Sequence, residues 1–144
     1  SCNSQPEKNK SKDYPVTKTT VEWKSQLSEF EYYVLREKGT ERAFSGRYNK
    51  FYEPGNYLCK ACGHPLFESA HKYDSRSGWP SFDRGIENHY ELQTDRSHGM
   101  VRTEVLCARC GSHLGHVFND GPPNTTGKRF CINSVALEFA PLNP

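Results

Sequence analysis

Two Cys-x-x-Cys pairs constrain the fold of this chain more than any other feature of its sequence. The first is Cys59 and Cys62, the second is Cys107 and Cys110, and 44 residues lie between them. A glycine follows each pair, which is typical of turns around thiolate-bound zinc. We therefore expect one structural Zn²⁺ ion whose shell is completed by these four ligands. The alternatives, strained disulfides within each pair or four unrelated buried thiols, are less favoured.

Length and charge favour a single small domain without a nucleic-acid partner. The chain has 144 residues, and its net charge of +2 is too small to indicate nucleic acid or a membrane surface. No apolar run approaches the roughly 18 residues of a spanning helix. Residues 1–18 are polar and lysine-rich, so we predict a flexible arm followed by one domain over residues 19–144. We expect a monomer.

The N-terminal sequence is compatible with two cellular locations. Cys2 followed by a polar tail is similar to the start of a mature bacterial lipoprotein. The alternative is an incidental cysteine. The protein is accordingly expected either in the cytoplasm or anchored to a membrane outside it.

Caps, glycines and prolines predict a mainly β fold with two short N-terminal helices. Thr19 and Ser28 each precede a glutamate by three residues, which is the capping-box spacing, and Gly39 is the expected end of the second helix. Short apolar segments between glycines and prolines then favour antiparallel sheet. The predicted strands are residues 55–59, 66–67, 89–93, 101–107, 116–118, 130–133 and 135–139.

The strand around Cys131 places a cation and an amide beside a thiol. Arg129, Cys131 and Asn133 occupy alternate positions, so in a strand they project from one face. Phe130 and Ile132 would point into the core. A nearby positive charge favours the thiolate, which is the nucleophile, so we predict that Cys131 is reactive.

Two other segments supply side chains suited to a site around this thiol. His113 and His116 follow the second cysteine pair, and imidazole is a natural proton donor near neutral pH. Trp79 lies between a glycine and a proline that fix its orientation, so it can wall a pocket for a small apolar group. In an arbitrary protein, such histidines are more often surface or core residues, and such a tryptophan is more often a core aromatic.

Together these motifs resemble the methionine-R-sulfoxide reductases of the B type. The resemblance covers roughly residues 19–140, and its motifs are specific in combination and order. The matching segments are Cys59-x-x-Cys62, Gly78-Trp79-Pro80-Ser81-Phe82, Cys107-x-x-Cys110, His113-Leu114-Gly115-His116-Val117-Phe118, Asp120-Gly121-Pro122 and Arg129-Phe130-Cys131-Ile132-Asn133-Ser134. The family implies two antiparallel sheets arranged like a tent, helices on the N-terminal side and a four-cysteine zinc site at the edge.

The resemblance also implies a reaction. Cys131 would attack the sulfur of methionine sulfoxide of R configuration, preferably in a protein, and would become a sulfenic acid. His113 and His116 would bind and protonate the sulfoxide oxygen, directly or through water. Protonation is needed because the oxygen is otherwise a poor leaving group.

The same family assigns supporting roles to four further residues. Arg129 would lower the pKa of Cys131, and Asn133 would orient a histidine or a water. Trp79 would pack against the substrate methyl group, with help from Phe118.

The chain departs from a common family pattern at Ser77. Many members carry a resolving cysteine there, and serine cannot form a disulfide. Either Cys2 on its arm or an external thiol such as thioredoxin, glutaredoxin or a small thiol must then restore Cys131. A lipidated Cys2 would leave only the external route, which we favour. A native cysteine replaced by Ser77 is the third alternative.

Two other functions fit part of the pattern. A zinc-ribbon-like binding module would account for the paired cysteines, but it gives no purpose to the Arg129, Cys131 and Asn133 face. A redox sensor would use Cys131 with Cys2.

Overall fold

The computed structural model describes residues 14–142, which contain two helices, nine strands and three short 3₁₀ turns. The helices are α1 (Thr20–Gln26) and α2 (Glu29–Glu37). The strands are β1 (Gly55–Cys59), β2 (Pro65–Glu68), β3 (Lys72–Tyr73), β4 (Ser81–Phe82), β5 (Tyr90–Asp95), β6 (Arg102–Cys107), β7 (His113–Phe118), β8 (Arg129–Ile132) and β9 (Leu137–Pro141). The turns are Ser69–His71, Ser97–Gly99 and Ser134–Ala136.

The strands form two antiparallel sheets. One sheet has three strands in the order β2-β1-β9, and the other has six in the order β3-β4-β8-β7-β6-β5. Together with two N-terminal helices and four adjacent cysteines, this arrangement confirms the predicted mainly β fold. The strands that carry Cys131 and His116, β8 and β7, are the two central strands of the larger sheet.

Both helices begin at the predicted capping boxes. The hydroxyls of Thr19 and Ser28 each accept a hydrogen bond from the backbone of the glutamate three residues later, and each glutamate side chain bonds back to the capping residue. Helix α2 ends at Glu37, and Lys38 adopts the left-handed conformation with φ 61. This is one position before Gly39, whose missing side chain allows close contact with a tyrosine ring.

The segment after Cys131 differs from the prediction. Alternation predicts a strand from Val135, whereas Ser134–Ala136 forms a 3₁₀ turn and β9 begins at Leu137. The cause is the carboxylate of Glu41, which accepts hydrogen bonds from the amides of Ser134 and Val135 at 2.9 and 3.0 Å. These amides are therefore not available to a neighbouring strand. Strands β3 and β4 were not predicted, because two residues are too few to show a period.

Aromatic rings join the two sheets and anchor the strand that carries Cys131. Phe67 of β2 stacks on Phe82 of β4 with ring centroids 4.5 Å apart. Phe130 of β8 contacts Phe67 at 5.9 Å and Tyr90 at 5.2 Å. Full burial of a side chain of this size contributes about 1.5–3 kcal/mol. Because successive strand residues face opposite sides, burial of Phe130 directs Cys131 to the other face of the sheet.

Residues 14–18, which the sequence assigns to the flexible arm, lie against the second cysteine pair. The amide of Val16 donates to the carbonyl of Arg109 at 2.9 Å, and the ring of Tyr14 packs where a side chain at Gly111 would be. The rest of the predicted arm, including Cys2, lies outside the described residues. Within residues 14–142, no helix has the length and apolar character needed to cross a membrane.

Candidate active site

Cys131 lies between two strands that supply its neighbours. In the register of the larger sheet, Cys131 is opposite Ser81 of β4 on one side and His116 of β7 on the other. Directly opposed residues project from the same face with Cβ atoms about 4.5–5.5 Å apart. Strand pairing therefore brings the thiol and the imidazole together.

A cavity of about 240 Å³ opens over this face. It is lined by six of the residues singled out from the sequence for catalysis or substrate binding, Trp79, His116, Phe118, Arg129, Cys131 and Asn133. Thr40, Ser77, Arg102 and Gly115 also line it, whereas His113 does not. Gly115 is required by close packing, because a Cβ atom there would lie 2.1 Å from the carbonyl oxygen of Cys131.

The surroundings of Cys131 favour the thiol in the free protein. Burial raises the pKa of Cys131, and the charge of Arg129 and the hydroxyl of Ser77 offset that shift only in part. Arg129 thus acts on the pKa of Cys131 in the expected direction, although burial outweighs its effect. The guanidinium is also shared with Asp120, whose carboxylate oxygens lie 2.9 and 3.2 Å from Nε and Nη2.

His116 is held by a carboxylate that the sequence did not indicate. Its Nε2 lies 2.7 Å from Oδ2 of Asp95, the last residue of β5. The hydrogen bond with His116 holds the pKa of Asp95 well below its usual range, so the carboxylate is ionised and can only accept. Nε2 therefore carries the hydrogen, and Nδ1 is the nitrogen that can exchange a proton. Burial lowers the pKa of His116, and the bond to Asp95 opposes this shift only in part.

His113 forms a second histidine–carboxylate pair deeper in the protein. Its Nδ1 lies 2.7 Å from Oε2 of Glu104, and both side chains are only 2% exposed. The two histidine rings are 5.4 Å apart. The Nε2 of His113 is buried and has no hydrogen-bond partner among residues 14–142. Because unpaired buried polar atoms are costly, this nitrogen is available to an ordered water or a substrate oxygen.

Lys38 links the two pairs. Its Nζ lies 3.4 Å from Oδ1 of Asp95 and 3.4 Å from Oε1 of Glu104. Arg102 adds a second cation 3.6 Å from Oδ2 of Asp95. Burial alone would raise the pKa of Glu104, but His113 and Lys38 bring it below its usual value. Both carboxylates are therefore ionised behind the cavity.

Trp79 and Asn133 are fixed by the backbone of one residue, Glu41. The Nε1 of Trp79 donates to the carbonyl of Glu41 at 3.0 Å, and the amide of Glu41 donates to Oδ1 of Asn133 at 3.0 Å. The Nδ2 of Asn133 donates to the carbonyl of Leu114 at 3.0 Å. Asn133 is thus bonded to the backbone of β7 next to His113, so any orientation of a histidine by Asn133 would act through that strand.

Three serine hydroxyls lead to the thiol. The Oγ of Ser75 lies 2.6 Å from that of Ser81 and 2.8 Å from that of Ser77. The Oγ of Ser77 lies 4.0 Å from Sγ of Cys131. Ser77 is therefore close enough to interact with the sulfur but offers no second thiol.

The four predicted metal ligands meet at one place. Their sulfur atoms all lie within 4.8 Å of one another. Cys59 and Cys110 have sulfurs 3.8 Å apart, and those of Cys62 and Cys107 are 3.6 Å apart. Tetrahedral zinc with Zn–S bonds of about 2.3 Å requires separations of about 3.8 Å, so the cluster fits this ion.

Sequence patterns missed the polar residues behind the cavity, Asp95, Glu104, Lys38 and Glu41. Asp95 and Glu104 approach the histidines only through the register of the sheet, in which Glu104 is opposite His116. One feature could have indicated Glu104, because it is a carboxylate at the start of the buried part of β6. A buried carboxylate needs a partner, and histidine is a suitable one.

Comparison with protein families and curated proteins gives one consistent result. The SelR domain matches residues 27–141. A protein of Bradyrhizobium diazoefficiens named peptide methionine sulfoxide reductase MsrB is 53% identical over 135 residues, which are 93% of this chain and 96% of that protein. A protein of the same name from Chromohalobacter salexigens is 57% identical over 127 residues, 88% of this chain and 96% of the relative.

A solved structure shares the fold alone. The Mis18 'Yippee-like' domain aligns with a TM-score of 0.51 at 21% sequence identity. The alignment covers 64% of this chain and all of that domain.

Proposed function

Because this chain belongs to the SelR domain family, together with the peptide methionine sulfoxide reductases described above, we propose that it is a peptide-methionine (R)-S-oxide reductase. The observation that carries the proposal is the Cys131 thiol opposite His116 in a cavity that Trp79 also lines. The reaction is the reduction of methionine sulfoxide to methionine at the expense of thiols.

One proton transfer activates the site. In the free protein the Cys131 thiol keeps its proton and the His116 imidazole is neutral, since burial shifts the two pKa values apart. Transfer of the proton from Sγ to Nδ1 converts the pair into thiolate and imidazolium. The ionised carboxylate of Asp95 stabilises the imidazolium through Nε2.

The pair then reduces the substrate. The thiolate of Cys131 attacks the sulfoxide sulfur while His116 delivers the proton to the oxygen. The attack joins the two sulfur atoms, and this bond and the sulfur–oxygen bond of the substrate then break as the hydroxyl passes to Cys131. Methionine thereby gains two electrons and leaves, and Cys131 becomes a sulfenic acid. The Nε2 of His113, which lies behind the cavity, would hold an ordered water that contacts the oxygen during this transfer.

Aromatic residues would bind the S-methyl group at the end of the substrate side chain. Trp79 and Phe118 would pack against the S-methyl group, because thioether groups make favourable contacts of about 0.3–1.5 kcal/mol with aromatic rings. Arg129, whose Cζ lies 4.5 Å from the Phe118 ring centroid, closes the polar side. Substitution of either ring should therefore raise KM, and its effect on the free energy of unfolding should be small.

A peptide is the favoured substrate. Phe44 is 65% exposed at φ 67, and its amide donates to the carbonyl of Gly78 at 2.7 Å, beside Ser77 and Trp79. A large exposed ring in a left-handed conformation, bonded to the residue between two that line the cavity, supports contact with the chain around the oxidised methionine.

Regeneration would use an external thiol, for which thioredoxin is one candidate. The first thiol condenses with the sulfenic acid and releases water, and a second thiol displaces Cys131 as a free thiol. This route is favoured because the residue at the usual resolving position, Ser77, lies 4.0 Å from the sulfur but has no thiol. Equal turnover by intact protein and a Cys2→Ser variant with external thiols would support it, whereas loss of turnover in that variant would assign resolution to Cys2.

The four-cysteine cluster would hold one structural Zn²⁺ ion. The bound ion would join the end of β1 to the loop between β6 and β7, leaving no ligand position for substrate. No step of the reaction needs it.

The proposal is tested by turnover of the separate R and S diastereomers of a methionine sulfoxide peptide with dithiothreitol. We expect reduction of the R form alone, and none by Cys131→Ser. Comparable reduction of the S form would contradict the stereochemistry. Full activity of Cys131→Ser would contradict the assignment of the nucleophile.

A further inference from the structure

Met100 is the only methionine of the chain, and it lies beside the proposed active site. It follows the turn Ser97–Gly99 that joins β5 to β6, and it is 45% exposed. In that turn His98 and Gly99 adopt the left-handed conformation, with φ values of 58 and 68. The exposed thioether is therefore open to oxidation by a hydroperoxide.

The position of Met100 relates it to the polar residues behind His116. Met100 lines a cavity of about 310 Å³ together with Lys38, Asp95, Arg102 and His116. Arg102 and His116 also line the Cys131 cavity, so the two cavities are neighbours. Ser97 fixes this turn to Asp95 through bonds of 3.0 Å from its amide and 2.8 Å from its hydroxyl.

We propose that Met100 is a reversible oxidation site, and that its R sulfoxide is reduced by Cys131 of a second copy of this protein. This inference rests on the proposed function. A hydroperoxide transfers its terminal oxygen to the thioether and leaves as the alcohol or water, which oxidises the sulfur by two electrons. Cys131 of the other copy removes the oxygen as described above, and two molecules of an external thiol supply the electrons.

A second copy is required because Cys131 of the same chain is too distant. Strands β7 and β6 follow β8 in the sheet, and neighbouring strands are about 4.8 Å apart. The backbone of β6 is therefore roughly 10 Å from that of Cys131. Arg102, the first residue of β6, is already displaced along the sheet from Cys131, and Met100 lies two residues further out.

Oxidation at this position would slow the enzyme until it is repaired. The sulfoxide adds a strong hydrogen-bond acceptor next to Arg102 and Lys38, the cations that face Asp95. Competition for these cations would loosen the ion pairs that hold the Asp95 carboxylate in place, and with it the hydrogen bond that orients His116. Met100→Gln, which carries a polar carbonyl on a side chain of similar length, should lower kcat, whereas Met100→Leu should not.

The repair is tested on a protein that cannot repair itself. Cys131→Ser protein is treated with hydrogen peroxide, freed of peroxide, and mixed with a small amount of wild-type enzyme and dithiothreitol. Trypsin releases residues 97–102, which contain Met100 and no cysteine, so an added oxygen is assigned without ambiguity. We expect the oxygen on this peptide to fall by about half, because peroxide forms both epimers and each epimer has its own enzyme.

Two controls separate the possible failures. A small R-sulfoxide substrate in the same tube reports whether the enzyme is active, and a Cys131→Ser/Met100→Leu protein should acquire no oxygen on the peptide. Persistence of the Met100 sulfoxide while the small substrate is reduced would overturn the inference. Failure to reduce both would contradict the proposed function itself, and equal kcat for Met100→Gln and Met100→Leu would overturn the effect on rate.

Discussion

The ionisation of Cys131 and His116 determines the pH range in which the reaction can proceed. Burial raises the pKa of Cys131 and lowers that of His116 relative to the ordinary values of a thiol and an imidazole. The reactive thiolate–imidazolium pair holds the same single proton as the resting thiol–imidazole pair. We therefore expect kcat/KM to be flat between the two values. It should fall on the acid side as His116 is protonated in addition to the thiol, and on the alkaline side as the shared proton is lost.

This pH profile can be measured with the R-sulfoxide peptide under conditions where the external thiol is saturating. A rate that rises steadily through pH 9 would contradict the shared proton, because it would show that the thiolate alone limits the reaction.

Asp95 is expected to act through His116. In Asp95→Asn the carboxylate that supports the imidazolium is lost, so the pKa of His116 falls further and the acid limb of the profile moves to lower pH. A correctly poised general acid contributes roughly 100- to 10,000-fold, and we expect a loss of kcat at the lower end of that range. Lys38→Met removes a cation instead of an anion, so it should lower kcat less and move the acid limb to higher pH. An unchanged acid limb would mean that Asp95 only supports the fold.

At the scale of elements, Glu41 joins the segment before the cavity to the turn that follows β8. Glu41→Gln places an amide donor next to the backbone donors of Ser134 or Val135. Leaving one buried group unsatisfied costs about 1–3 kcal/mol, which denaturant unfolding measures. Because the same turn follows Asn133, the variant should also raise KM. Glu138→Gln, at an exposed position of β9, is the matched control and should change neither.

The cysteine cluster holds β1 and the β6–β7 loop together, so metal removal should affect the whole domain. Binding free energy for structural zinc is folding free energy, and a chelator should therefore lower the melting temperature and the far-UV signal together. Cys62→Ser should bind less zinc and fold poorly, whereas Cys131→Ser should retain one ion per chain. A melting temperature that is independent of zinc would contradict a structural role.

For the whole molecule, sequence patterns predicted the features that are determined by residues close together in the chain. The two capping boxes, most strands and the grouping of the four cysteines follow from spacing alone. The histidine–carboxylate pairs do not, because Asp95 and Glu104 reach their partners through strand pairing. The turn at Ser134 was also missed, since a distant carboxylate outweighs the local alternation.

Sequence patterns predicted the position of the reactive cysteine but not its ionisation. Alternation placed Arg129 and Cys131 on one face, and both line the same cavity. The net pKa shift of Cys131 could not be predicted in this way, because it depends on the burial of the thiol in the folded protein. Asp120 also shares the charge of Arg129, as only the structure indicates.

A single turnover without reductant shows whether Cys131 takes the oxygen from the substrate. In a Cys2→Ser variant, one equivalent of R-sulfoxide peptide is added with a reagent that traps sulfenic acids. Trypsin then releases residues 130–144, in which Cys131 is the only cysteine. We predict one reduced peptide per active chain and the trapped adduct on this fragment. Reduced peptide formed with the adduct elsewhere, or without any adduct, would contradict the account.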